Sequence, residues 1–179
     1  MKGALIILPD RIRIPLLKKC LIFFPTAFLV VLLDQTTKSY LIARIRLYES
    51  FAVIEGFFNI THVRNPGAAF GFLAQASPAF RSGFFILVTV FAIGLIFYYI
   101  GRSEDDELGF VFALSLVFGG AAGNLIDRLR FGEVVDFIDV YWKTFHWPAF
   151  NVADSAISLG AFILILQMLK RKKERRTGI

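Results

Sequence analysis

The sequence predicts an all-α membrane protein, a four-transmembrane-helix bundle with a small extracytoplasmic sheet, in one integral membrane domain over residues 1–179. Three observations carry this expectation. Of the 179 residues, 56% are hydrophobic, against about 45–50% in soluble domains, and the mean hydropathy is +0.64. Four apolar stretches, near 20–41, 78–100, 108–126 and 152–169, each approach the roughly 20 helical residues that cross a hydrocarbon core of about 30 Å. Basic residues gather at both ends, in the segment 1–19 and in the tail 170–179.

That charge distribution sets the topology. Four spans place both termini on one side, and the excess of Lys and Arg makes that side cytoplasmic. The net charge of +6 and pI near 9.7 therefore read as lipid-facing tails rather than a nucleic-acid surface. The acidic connection 101–107 is cytoplasmic too, because acidic residues count little in the rule. The short apolar run 3–8 lacks the length of a signal-peptide core and a small-residue cleavage site, so the first span is expected to stay in the mature protein. Cys20 stands alone and forms no internal disulfide. Two histidines without a second cysteine give no zinc spacing, and neither metal nor cofactor is expected.

Taken in order, the first span contains Pro25, tolerated where neighbouring helices satisfy the freed carbonyl. It ends in Asp34-Gln35-Thr36-Thr37-Lys38. Asp34 and Lys38 have the favourable order for an (i, i+4) ion pair, either structural or touching substrate. In the outer connection 42–77, the stretches 51–54 and 58–64 read as short strands separated by Glu55-Gly56, because β-branched and aromatic residues dominate them. Asn65-Pro66-Gly67 is a turn signal, followed by the small apolar block 68–71. Ser77-Pro78 is a helix start, an N-cap with proline in the first helical position. The second span is plain lipid-facing helix after Arg81. The third carries Gly119-Gly120-Ala121-Ala122-Gly123, which lets helices approach backbone to backbone. Asn124, Asp127 and Arg128 follow it; either Asn124 joins helices and Asp127 pairs with Arg128, or they line a site. In the outer connection 127–151 the segment Arg130 to Phe150 is too interrupted for a fifth span, and Tyr141, Trp142 and Trp147 are interfacial aromatics.

The same topology brings Asp136 and Asp154 to one face. A carboxylate at the edge of hydrocarbon is costly and points to function. Two carboxylates held close share a proton, so that one activates water while the other protonates a carbonyl. The residues also allow a plainer reading, a solvated loop acid and a helix-start acid favoured by the macrodipole, since Glu133 and Asp139 lie in the same connection.

Five blocks decide between these readings: Asp34-Gln-Thr-Thr-Lys38, Asn65-Pro-Gly67-Ala-Ala-Phe-Gly71, Gly119-Gly-Ala-Ala-Gly123-Asn124-Leu-Ile-Asp127-Arg128, Val134-Val-Asp136-Phe-Ile138 and Phe150-Asn151-Val-Ala-Asp154-Ser155. In order and content they resemble the motifs of bacterial lipoprotein signal peptidase, signal peptidase II. The resemblance covers nearly all of 20–169. It implies an intramembrane aspartic endopeptidase of the inner membrane that cuts prolipoproteins before the diacylglyceryl-modified lipobox cysteine. It makes Asp136 and Asp154 the catalytic pair. Asn65, Gly67, Asn124, Asp127, Arg128 and Asn151 become site-supporting or substrate-contacting residues, with Asp34 and Lys38 in the first helix. It further implies a β-cradle outside the membrane, an active site near the outer face, inhibition by globomycin-type peptides, and contact with membrane lipids. No nucleic-acid partner is expected, and the protein is expected to be a monomer. The stretch 1–19 is longer than the family requires.

Overall fold

The computed structural model describes residues 10–67, 73, 75–104 and 107–177. Four helices, α1 (Asp10–Arg44), α2 (Pro78–Arg102), α3 (Leu108–Phe131) and α4 (Val152–Thr177), are joined with four strands, β1 (Ser50–Ile54), β2 (Phe58–Asn65), β3 (Val134–Trp142) and β4 (Phe145–His146). Each helix holds a segment long and apolar enough to cross a membrane. The helices extend past the expected spans: α1 begins at Asp10 and α4 continues to Thr177. Hydrocarbon thickness limits how much of a helix must be apolar, but Lys, Arg and Glu are good helix formers and carry it onward. Of the features singled out in the sequence, residues 1–9, the block 68–71 and the acidic pair Asp105 and Asp106 lie outside the described residues.

The central helix is α3, which packs against α1, α2 and α4. Its glycines explain why. A methyl group at Gly119 would meet Val30 and the Ala27 carbonyl of α1, and one at Gly123 would meet the Asp34 carboxylate. On the opposite face, one at Gly120 would strike the Ala153 carbonyl and Ile157 of α4. In lipid, where apolar surface gains little by leaving the solvent, such close approach supplies the van der Waals contact that holds helices together. Around this seam Phe23, Ile96, Val111 and Leu114 join α1, α2 and α3, while Val30, Leu116 and Ala156 join α1, α3 and α4. Large apolar side chains such as Leu21, Phe28, Leu87, Phe91 and Phe162 face outward, a surface suited only to lipid or a partner. At one end of the bundle the Lys19 ammonium donates to the Ser103 carbonyl at 2.6 Å, so the start of α1 and the end of α2 share a side.

Gly120→Ala is expected to destabilise the protein by about 1–3 kcal/mol, because the new methyl group meets backbone that cannot rotate away. It also displaces the start of α4, which carries Asp154. Gly94→Ala is the control: its site is open, and the change should be neutral or slightly stabilising. Thermal unfolding in detergent separates them, and equal melting temperatures would refute the packing argument.

The strands form one antiparallel series in the order β1-β2-β3-β4. Between β1 and β2 the chain turns through Gly56 at φ +77°, a conformation that costs glycine little. Ser77 caps α2 as expected, its hydroxyl accepting from the Phe80 N–H at 3.4 Å with proline following. The third strand is a correction to the sequence reading, which left 127–151 as an irregular aromatic connection. Val134, Val135, Asp136 and Phe137 are all buried, so the polar–apolar alternation that marks a half-buried strand is absent. Leu41 of α1 packs on Val135 and Phe137 and seats the sheet on the bundle.

Candidate active site

The two aspartates arrive on different elements and are tied together by one asparagine. Asp136 lies on β3, opposite Val63 of β2. Asp154 lies in the first turn of α4, where it forms a reciprocal cap with Asn151. The Asn151 side-chain oxygen accepts from the Asp154 N–H at 2.9 Å, and Asp154 Oδ2 accepts from the Asn151 N–H at 3.2 Å. This is the capping-box exchange, which satisfies two donors otherwise orphaned at a helix start. Just before it, Phe150 exchanges hydrogen bonds with Ile138, donating at 3.1 Å and accepting at 2.8 Å. That pairing lays Asn151 against β3, and its side-chain nitrogen donates to Asp136 Oδ1 at 2.7 Å. The helix-start role of Asp154 is therefore real, and it coexists with proximity to Asp136.

The remaining oxygens are also held. Asn65, at the end of β2, donates to Asp136 Oδ2 at 2.9 Å, and its own oxygen accepts from the Gly67 N–H at 3.0 Å. The latter contact is an Asx turn, the local reason for Asn-Pro-Gly here. Arg128 donates to the Gly67 carbonyl at 3.2 Å and rests over the Phe85 ring at 4.7 Å. Asn124 donates to Asp154 Oδ1 at 2.8 Å. Asn65, Gly67, Asn124, Arg128 and Asp154, together with residues 147–150, line a cavity of about 590 Å³. Its size lies within the range of ordinary ligand sites, about 300–1,000 Å³.

Behind the cavity sits a buried charge cluster. Lys38 is 2% exposed and reaches Asp34 Oδ2 at 2.8 Å, Asp127 Oδ2 at 2.9 Å and Asn124 Oδ1 at 3.1 Å. These contacts use all three ammonium protons. Because lysine only donates, the Asn124 atom facing it is the oxygen, and the amide nitrogen is thereby turned toward Asp154. Asp34 also accepts from the Ala153 N–H at 3.0 Å, and Asp127 from the Val135 N–H at 3.1 Å. The cluster thus fixes the starts of α4 and β3, the two elements that carry the acids.

Of the sequence-derived candidates, Asp136, Asp154, Asn65, Gly67, Asn124, Arg128 and Asn151 meet at one place, and Asp34, Lys38 and Asp127 form the layer behind it. The suggested Asp127–Arg128 pair is replaced by Asp127–Lys38, since consecutive helical residues do not face one another. Asp139 lies apart, with Asn59 at 2.9 Å and His146 at 2.8 Å. The sequence reading assigned no role to Gln35, whose amide nitrogen lies 3.0 Å from both Asp34 Oδ2 and Asp127 Oδ1. Its (i, i+3) relation to Lys38 was the available signal. Among the described residues, no group of three or more His, Cys, Asp or Glu is arranged to hold a metal ion.

Electrostatics separate Asp136 from ordinary acids. Burial, then the neighbouring Asp154 charge, push its carboxyl up to about 7, against the hydrogen bonds from Asn65 and Asn151 and the Lys38 charge. Such a group holds its proton below about pH 7 and loses it above, within reach of neutral acid–base work.

Four apolar helices and a carboxylate pair at their sheet-bearing end, Asp136 buried and Asp154 half-buried, define a multi-pass membrane protein with an acid–base site. The family model described as signal peptidase (SPase) II matches residues 26–170. The lipoprotein signal peptidase of Syntrophus aciditrophicus (strain SB) is 54% identical over 158 residues, 88% of this chain and 98% of the relative. That of Geobacter sulfurreducens is 52% identical over 145 residues, 81% and 89% of the two chains. A bacterial membrane enzyme solved by the in meso method at 2.3 Å resolution superposes with a TM-score of 0.71 at 41% identity, covering 82% of this chain and 87% of that one. The chain belongs to the signal peptidase II family. It is accordingly a peptidase, a hydrolase of peptide bonds, and a multi-pass protein of the bacterial inner membrane.

Proposed function

We propose that the chain is an intramembrane aspartic endopeptidase that removes signal peptides from prolipoproteins, cleaving before the diacylglyceryl-modified lipobox cysteine. Removal of prolipoprotein signal peptides accords with its family. The aspartic mechanism is supported by one observation above others: Asn151 bonds both Asp136 and Asp154, where burial and then the Asp154 charge favour a proton on Asp136.

In this reading, one carboxylate takes a proton from water as its oxygen attacks the scissile carbonyl carbon, and the protonated partner donates to the carbonyl oxygen. The tetrahedral intermediate then collapses, the C–N bond breaks, and the amine leaves with a proton from the pair. No acyl-enzyme forms. Asn65 and Arg128 contact substrate main chain beside the cavity wall that Gly67 forms, while Asn124 and Asn151 hold the acids in place. Asp34, Lys38 and Asp127 keep that frame rigid. The lipid on the substrate cysteine stays in hydrocarbon among membrane lipids and so positions the peptide bond. We place both termini in the cytoplasm and the site near the outer face, in one integral membrane domain that acts as a monomer and binds globomycin-type cyclic peptides.

The pH dependence tests the pair. With one proton shared, activity requires that the Asp136 proton be retained somewhere in the dyad, so kcat/KM is expected to fall tenfold per pH unit above about 7. Cleavage of a diacylglyceryl-modified prolipoprotein peptide in lipid, followed from pH 5 to 9 with and without a chelator, reads this directly. A rate that stays flat to pH 9, a trapped acyl-enzyme, or loss of activity on chelation would each overturn the mechanism.

A further inference from the structure

Residues 147–150 line the same cavity as Asn124 and Arg128, and the mechanism above leaves them without a task. Their backbone runs antiparallel to β3. The Trp147 N–H donates to the Val140 carbonyl at 2.9 Å, and Phe150 exchanges hydrogen bonds with Ile138. Pro148 fixes its own φ near −65° and holds Trp147 extended. Upstream, His146 is pinned by Asp139 at 2.8 Å and stacks on Tyr141 with ring centroids 4.7 Å apart. The segment is therefore held against β3 at both ends, by Trp147 and by Phe150.

Along an extended chain, main-chain groups face alternate sides from one residue to the next. Trp147 and Phe150, three residues apart, both bond β3, so this alternation breaks between them, at Pro148-Ala149, where the chain lines the cavity. Among the described residues the Ala149 N–H and C=O have no hydrogen-bond partner. The neighbouring main-chain groups are spoken for: the Gly67 N–H bonds Asn65, its carbonyl accepts from Arg128, and both Phe150 groups bond β3. Ala149 thus offers one donor and one acceptor in the cavity that Asp154 also lines.

We propose that the substrate's main chain adds to this segment as an extended strand, exchanging a pair of hydrogen bonds with Ala149, and that this pairing positions the scissile bond. The inference rests on the peptidase reading above. A peptide drawn to the edge of hydrocarbon must have its N–H and C=O groups satisfied by protein, and strand addition does so without reading side chains. Ala149 is a positioning residue through its backbone, and selectivity is left to the lipid and to the cavity's shape.

The test leaves the enzyme unaltered. In a diacylglyceryl-modified prolipoprotein peptide, esters replace the non-scissile amides one at a time on either side of the scissile bond. The proposal expects one sensitive position at which loss of the N–H lowers kcat/KM by about tenfold, the worth of one hydrogen bond whose partner is left unpaired, with its neighbours unaffected. A149P keeps the carbonyl that accepts the substrate N–H but lacks the Ala149 N–H that donates to the substrate carbonyl, so it removes the second bond of the pair, and the parent peptide should be cleaved more slowly through a raised KM. If A149P does not fold, the ester series decides alone. A series with no sensitive position, or a folded A149P that cleaves the parent peptide with the parental KM, overturns the proposal. Failure of the peptidase reading has a different signature, no cleavage of the all-amide peptide by the unaltered enzyme.

Discussion

Asp136→Asn and Asp154→Asn are each expected to lower cleavage of the lipid-modified peptide by at least about 10³-fold, near the upper range for removing a general acid or base, while leaving the protein folded. Asparagine keeps the shape of the side chain but cannot exchange a proton near neutral pH. The hydrogen bonds predict a modest structural cost as well. In Asp154→Asn the new amide can present its oxygen to the Asn151 N–H or to the Asn124 nitrogen, but not to both. Asn124 cannot turn to help, because Lys38 holds its oxygen. The loss should be about 1 kcal/mol, the worth of a cap or one hydrogen bond. Cleavage assays beside thermal unfolding separate the two effects. A folded variant working at the parental rate would dismiss the pair and bring Asp127 or Asp139 forward. Asp127 would be the harder case, since it is committed to Lys38 and the Val135 N–H.

Lys38→Met is expected to produce the largest loss of stability, about 3–5 kcal/mol, as when one partner of a buried ion pair is removed. The change leaves Asp34 and Asp127, 0% and 1% exposed, without the cation between them. Their main-chain donors at Ala153 and Val135 remain, but like charges then face each other in a medium that screens poorly. Asp127→Asn added to Lys38→Met should recover part of the deficit by removing one uncompensated charge. The site should respond too. Lys38 lowers the Asp136 pKa, so in any Lys38→Met protein that folds, the alkaline limb of the rate profile moves to higher pH. Freed from Lys38, Asn124 also loses the reason to turn its nitrogen to Asp154. Unfolding within 0.5 kcal/mol of the parent, measured in the same detergent, would show that the cluster is not what holds the site.

What the sequence alone determined about this protein are the features that depend on local period and local chemistry. Four apolar runs specify four spans because the hydrocarbon thickness is fixed. Gly56, Asn65-Pro66-Gly67 and Ser77-Pro78 mark their turn and helix start because those residues suit backbone conformations that few others adopt. The five ordered motifs identified the family and assembled most of the site residues. What only the tertiary structure decided are relations between distant residues. The burial of both faces of β3 erased the alternation that would have announced a strand, and only packing against α1 makes it one. Asp127 meets Lys38, 89 positions away by number, rather than its neighbour Arg128, because helix geometry turns adjacent side chains apart. The bond from the Ala153 N–H to Asp34 spans 119 positions, and no local pattern encodes it. Ala149 reaches the cavity between two residues, Trp147 and Phe150, that are bound to β3. Hydrogen-bond partners are chosen by three-dimensional proximity among groups that must all be satisfied away from water, and that choice is made by the fold.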